Sequence, residues 1–132
     1  MSADRTADRT AAHFKQHPDM DLTRYACDDV HFIKSVLVQS RKVSDNCSLE
    51  LNQMRPATLA ACANLRQVVT QAATFRRSLV DRCVDEQKQR LSQAADKDAL
   101  RRLNFYKAEL DVEPILQAAV DLQMRRACRA AK

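Results

Sequence analysis

The sequence predicts an all-α protein: a long antiparallel, coiled-coil-like helical hairpin with a third helix folded back on it and disulfides stapling the helices together. Three observations carry this. The chain has no glycine in 132 residues, so primed β-hairpin turns and phosphate-cradling loops lack the residue they depend on. It is rich in Ala, Arg, Gln and Leu, which are strong helix formers. Its apolar residues recur at heptad spacings. With 45% apolar but only 5% aromatic residues, the core of this single small domain must be built from Ala, Val, Leu and Ile.

The elements follow in order. Residues 1–22 form a polar tail that opens on a duplication, Ala3-Asp4-Arg5-Thr6 and Ala7-Asp8-Arg9-Thr10. Polar and alternately charged up to Pro18, it is expected to order only against a partner. The helical domain spans residues 23–132. Its first helix begins near Cys27-Asp28-Asp29, where two carboxylates suit an N-terminal turn. The apolar stripe is Val30, Ile33, Leu37, Cys47, Leu51 and Met54, with Ser40 and Ser44 interrupting it. At Pro56 the chain must turn. From Thr58, an N-cap, to Leu110 one long helix is expected, on a seam of Leu59, Cys62, Leu65, Val69, Ala72, Leu79 and Cys83. Leu91, Leu100, Leu103, Tyr106 and Leu110 then take over, and the change of phase at Ser92–Asp98 marks a kink or a break. A C-terminal helix is expected from about 112, with Asp111 as N-cap and Pro114 in the first turn. It continues through Ile115, Ala119, Leu122 and Met124 to Cys128.

The formal charge is +5, and fifteen of the 22 basic residues are Arg, the side chain suited to lasting contacts with carboxylates. The signs are interleaved along the chain and aromatic stacking residues are scarce, which argues against nucleic acid. The densest basic run, Arg125, Arg126, Arg129 and Lys132 around Cys128, suits either a partner or the C-terminal helix dipole. No stretch reaches the 18 or so apolar residues of a membrane span, so only peripheral membrane contact is expected. The N-terminus lacks an apolar signal core, and Asp4, Asp8, Asp19 and Asp21 speak against a presequence.

Cys27, Cys47, Cys62, Cys83 and Cys128 are the most informative residues. None forms a C-x-x-C pair, and His13, His17 and His31 lie apart from paired thiols, so no metal, cofactor or Cys–His nucleophile is expected. Buried thiols serving as small apolar side chains are one reading. Register suggests another. In a hairpin turning at 54–56, facing residue numbers sum to a constant; Cys27 and Cys83 sum to 110, Cys47 and Cys62 to 109. Two bridges, Cys27–Cys83 and Cys47–Cys62, would staple the helices, with Cys128 bonded to neither Cys27 nor Cys83; a Cys27–Cys128 or Cys62–Cys128 bridge would refute this register. The first is the stronger expectation, because Cys27 and Cys47 stand about 200° apart on a straight helix. Three pairings remain open for any four cysteines.

The cysteines and their surroundings resemble the Mix-twenty-three family of mitochondrial intermembrane-space coiled-coil proteins with spaced cysteines. The resemblance rests on Cys27-Asp28-Asp29 followed by Glu50-Leu51-Asn52, with Leu37, Arg41 and Asp45 in register between them. Cys62 and Cys83 follow, with Arg76, Leu79 and Val80 before Cys83, and then Glu109-Leu110-x-Val112-Glu113 ahead of Cys128-Arg129. Cys47 is an addition to that pattern, and the tail matches none of it. The resemblance implies a non-enzymatic protein without a cleaved presequence, trapped in the intermembrane space when a Mia-type oxidoreductase oxidises it, and promoting protein import through the inner-membrane translocase. The alternative is a structural accessory subunit of a large mitochondrial complex: a respiratory complex, ATP synthase or mitoribosome. A thiol oxidoreductase would need the vicinal cysteines that are missing.

Overall fold

A computed structural model describes residues 22–54 and 56–131. The tail up to residue 21, with His13 and His17, lies outside the described residues, and so does Lys132 of the basic run. A short 3-10 turn at Leu22–Arg24 precedes three helices: α1 (Val30–Gln53), α2 (Leu59–Gln93) and α3 (Lys97–Cys128). No strand occurs among the described residues.

Each helix starts on a side chain that satisfies its open backbone donors. Asp29 accepts from the Phe32 amide at 3.0 Å, and Thr58 accepts from Ala61 at 3.0 Å. Asp96 accepts from Asp98 at 2.9 Å and from Ala99 at 3.2 Å. The first two sit where the sequence places them, with Pro56 in the turn between α1 and α2. The third corrects it. The expected continuous helix from Thr58 to Leu110 ends at Gln93, and the change of phase at Ser92–Asp98 is a full reversal. Ala94 and Asp96 turn the chain in extended backbone, which any residue adopts, so glycine is not needed.

The C-terminal helix expected from about 112 therefore begins at Lys97. Asp111 is an exposed mid-helix residue rather than an N-cap, and Pro114 lies inside α3. There the proline removes one backbone donor, a defect worth about 3 kcal/mol in an unsupported helix. Packing on both sides of it holds α3 together.

The reversal makes an up-down-up three-helix bundle. Between α2 and α3 the register is constant: Gln87 meets Arg102, Arg76 meets Glu113 and Cys62 meets Cys128. The contacts Lys34–Glu109, Arg41–Glu113 and Ser48–Gln123 climb together, so α1 and α3 run parallel. Two apolar clusters fill the interior. One gathers Ile33, Leu37, Ala72, Leu79, Val80, Leu103 and Tyr106 around Cys27 and Cys83. The other gathers Val43, Cys47, Leu51, Val68, Val69, Val120 and Met124 around Cys62. Between them lies a layer of buried charge.

Candidate functional site: two disulfide staples around a buried charged layer

Cys27 is bonded to Cys83 with Cα atoms 5.2 Å apart, as the register expects. Cys27 precedes the N-cap, so its bridge needs the pre-helical segment to be fixed, and polar side chains from α2 and α3 fix it. The Tyr106 hydroxyl donates to the Cys27 carbonyl at 2.6 Å. Gln87 donates to Asp28 at 3.0 Å while accepting from Arg102 at 2.9 Å. Arg82 donates to the Tyr25 carbonyl at 3.0 Å and also to that of Leu22. Arg90 pairs with Asp28 at 2.8 Å. Burial pushes the Tyr106 phenol up to about 12, with the Arg102 charge opposing it, so the hydroxyl stays a donor throughout the physiological range.

The second bridge differs from the expectation. Cys62, in the first turn of α2, is bonded to Cys128, the last residue of α3, with Cα atoms 6.1 Å apart. Cys47 stays a buried thiol, so the Cys47–Cys62 pairing is overturned. Two facts explain this. The α1–α2 contacts Ser40–Ala72, Ser40–Arg76 and Ser44–Arg76 put Cys47 level with about Val69, two turns or ~10 Å from Cys62 along α2. And a reversal at Ala94–Asp96, rather than near 112, brings the end of α3 back to the start of α2. The two bridges lie toward opposite ends of the bundle. Together they join the segment before α1 to α2, and α2 to α3.

The layer between the staples was not assembled by the sequence reading. Arg76 on α2 is 1% exposed. Its Nε donates to both Glu113 oxygens, at 3.1 and 3.0 Å. Its Nη1 donates to the hydroxyls of Ser40 at 3.0 Å and Ser44 at 3.3 Å, and Ser40 passes its own proton toward the Ala72 carbonyl at 3.4 Å. Arg41 on α1 reaches Glu113 at 2.9 and 2.8 Å and Glu109 at 2.6 Å. Lys34 closes the set on Glu109 at 2.6 Å. Burial works against the Arg41 charge, but the hydrogen bonds to Glu109 and Glu113 outweigh it and hold that pKa above its ordinary value. Burial likewise pushes Glu109 up, and the hydrogen bonds from Lys34 and Arg41 overcome it, leaving the carboxyl below the usual range. Each of these charges meets at least one opposite charge at hydrogen-bonding distance, as interior charges must. The arrangement ties three helices together through one set of ion pairs.

The sequence held a signal for this layer. Ser40 and Ser44 break the apolar stripe of α1, Arg76 sits on the seam between Ala72 and Leu79, and Glu109 and Glu113 are one turn apart. The basic run is less organised: Arg125 and Arg126 are exposed and Arg129 is the C-cap of α3. Comparison with family models, curated proteins and solved structures finds no match. Among the described residues, no group of three or more His, Cys, Asp or Glu is placed to hold a metal ion, and no helix is long and apolar enough to cross a membrane.

Proposed function

We propose that the chain is a non-enzymatic helical protein of the mitochondrial intermembrane space, locked into its fold by oxidation and acting on protein import. The observation that carries the reading is the pair of bridges, Cys27–Cys83 and Cys62–Cys128, which span 56 and 66 residues. Long-range structural bridges persist in oxidising compartments and are rare where thiols are kept reduced. In the chain-entropy account each is worth about 4 kcal/mol, a large share of the stability of a domain this small. Oxidation by a Mia-type oxidoreductase is then both folding step and retention step. The resemblance to the Mix-twenty-three family directs the reading toward the inner-membrane translocase as the partner system.

A second reading, a structural accessory subunit of a large mitochondrial assembly, is favoured by the apolar side chains that α3 exposes at Val112, Ile115 and Leu122. One experiment tests both. The protein is imported into isolated mitochondria with and without depletion of the Mia-type oxidoreductase, then resolved by native size fractionation. Oxidoreductase-dependent accumulation as a small species supports the import factor, and oxidoreductase-dependent co-migration with a large complex supports the subunit. Accumulation that ignores the oxidoreductase would sink the intermembrane-space reading.

A further inference from the structure

We propose that the outward face of α3 is a self-docking seam on which two copies of the chain pair antiparallel. Ala108, Val112, Ile115, Ala119 and Leu122 follow one another at alternating steps of four and three residues, the spacing of a coiled-coil seam. All five are exposed, with Ile115 at 70%, Leu122 at 43% and Val112 at 39%. They form a second apolar stripe, since Tyr106, Val120 and Met124 already face α1 and α2. Contiguous exposed apolar side chains at seam spacing on a charged surface mark a contact site.

Charge selects the occupant and its direction. The next two positions of the repeat are Arg126 and Arg129. A parallel pair would set each against its own copy, like charge on like charge. An antiparallel pair with Val112 opposite Leu122 and Ile115 opposite Ala119 sets Arg126 opposite Ala108, where the arginine stem covers the methyl group. The same register brings Asp111 beside Arg125 of the second copy, and two-fold symmetry makes the contact twice. Among the described residues, neither Asp111 nor Arg125 has an ion-pair partner within its own chain. The small side chains Ala108, Ala118 and Ala119 let the helices approach closely.

The test uses the full oxidised chain in sedimentation equilibrium, from low micromolar to millimolar concentration. The weight-average mass should climb from one chain toward two. Ile115→Asp, at a position that is mostly exposed in the single chain, should hold it at one. Asp111→Arg and Arg125→Asp should each weaken association by about tenfold, since each turns two attractions into repulsions. Combining them should restore it to within about threefold of the parent. Peptide mapping confirms that every variant keeps both native bridges. A chain that stays single at all concentrations, a dimer indifferent to Ile115→Asp, or a charge exchange that fails to restore affinity would each overturn the seam.

Discussion

Glu113→Ala is the sharpest perturbation of the bundle. Among the described residues, the Glu113 carboxylate, whose side chain is 9% exposed, is the only anion hydrogen-bonded to Arg76, whose side chain is 2% exposed. Truncation leaves that guanidinium buried with two serine hydroxyls, while Arg41 keeps Glu109 and some access to water. Stranding one partner of a buried pair costs about 3–5 kcal/mol, against the ~5–15 kcal/mol that holds a domain folded. Glu109→Ala should cost only about 1–2 kcal/mol, because Lys34 is half-exposed and Arg41 keeps Glu113. Urea unfolding of the oxidised proteins reads both, with the bridges intact in the folded and unfolded states. Arg76→Met combined with Glu113→Leu should recover at least about 2 kcal/mol relative to the sum of the single changes. A Glu113→Ala cost below about 1 kcal/mol, or one no larger than that of Glu109→Ala, would refute the reasoning.

Further expectations follow from the same contacts. Removing the second bridge with Cys62→Ser and Cys128→Ser should lower stability by about 4 kcal/mol, and native peptide mapping should find Cys47 alkylated only after unfolding. Leu79→Asp buries an unpaired carboxylate at a fully enclosed site and should cost several kcal/mol, whereas Arg90→Ala loses half-exposed pairs with Asp28 and Glu86 worth about 1 kcal/mol or less together; thermal melts rank the two. Glu109 is held low, so its contribution is present above the ordinary carboxylate range and fades as pH falls through its depressed value. Tyr106 is held high, so its contribution is full below about pH 10 and is lost as pH rises through about 12; stability measured against pH checks both signs, and tyrosinate absorbance should show no ionisation of Tyr106 near 10. Pro114→Ala restores a helical donor and should stabilise the chain by about 1 kcal/mol or more, with a drop in melting temperature as the contrary result.

What could be read from the chain divides by the range of the forces involved. Asp29, Thr58 and Pro56 act on their own neighbours, and each does in the structure what its local chemistry dictates. Asp111 with Pro114 carries an equally good local signal and is overruled. A cap is worth about 1 kcal/mol, while placing Val120, Met124 and Cys128 against α2 is worth several such caps, and only the reversal capped by Asp96 achieves it. The second bridge inherits that difference. Moving the turn from about 112 to 96 moves the end of α3 by many residues along α2, so the partner of Cys128 could not be found until the turn was. Cys27–Cys83 survives because its register is set by the turn at Pro56 between α1 and α2, which the sequence places correctly. Arg76 and the two serines were visible as interruptions of apolar seams, but an interruption names its partner only when the third helix is in place.

The position of the charged layer, between two apolar clusters that each hold a bridge, points to what it does for the fold. Leu, Val and Ala can slide by a turn past similar residues at modest cost, and seams built of them specify register weakly. Arg76 slides less freely. Displaced by one turn toward the start of α1 it would exchange Ser44 for Val36, and displaced by one turn toward the end of α3 it would exchange Glu113 for Gln117, whereas the opposite shifts meet Ser48 and Glu109. A buried cation without acceptors costs more than the apolar contacts regained. Four cysteines on three helices and a fifth just before α1 allow many pairings, and Cys47 lies in the same apolar cluster as Cys62 and Cys128. With Arg76 seated, Cys62 faces Cys128 and Cys47 lies two turns away. The buried charges therefore favour the observed register against the shifts that strand Arg76, and the two bridges fix it.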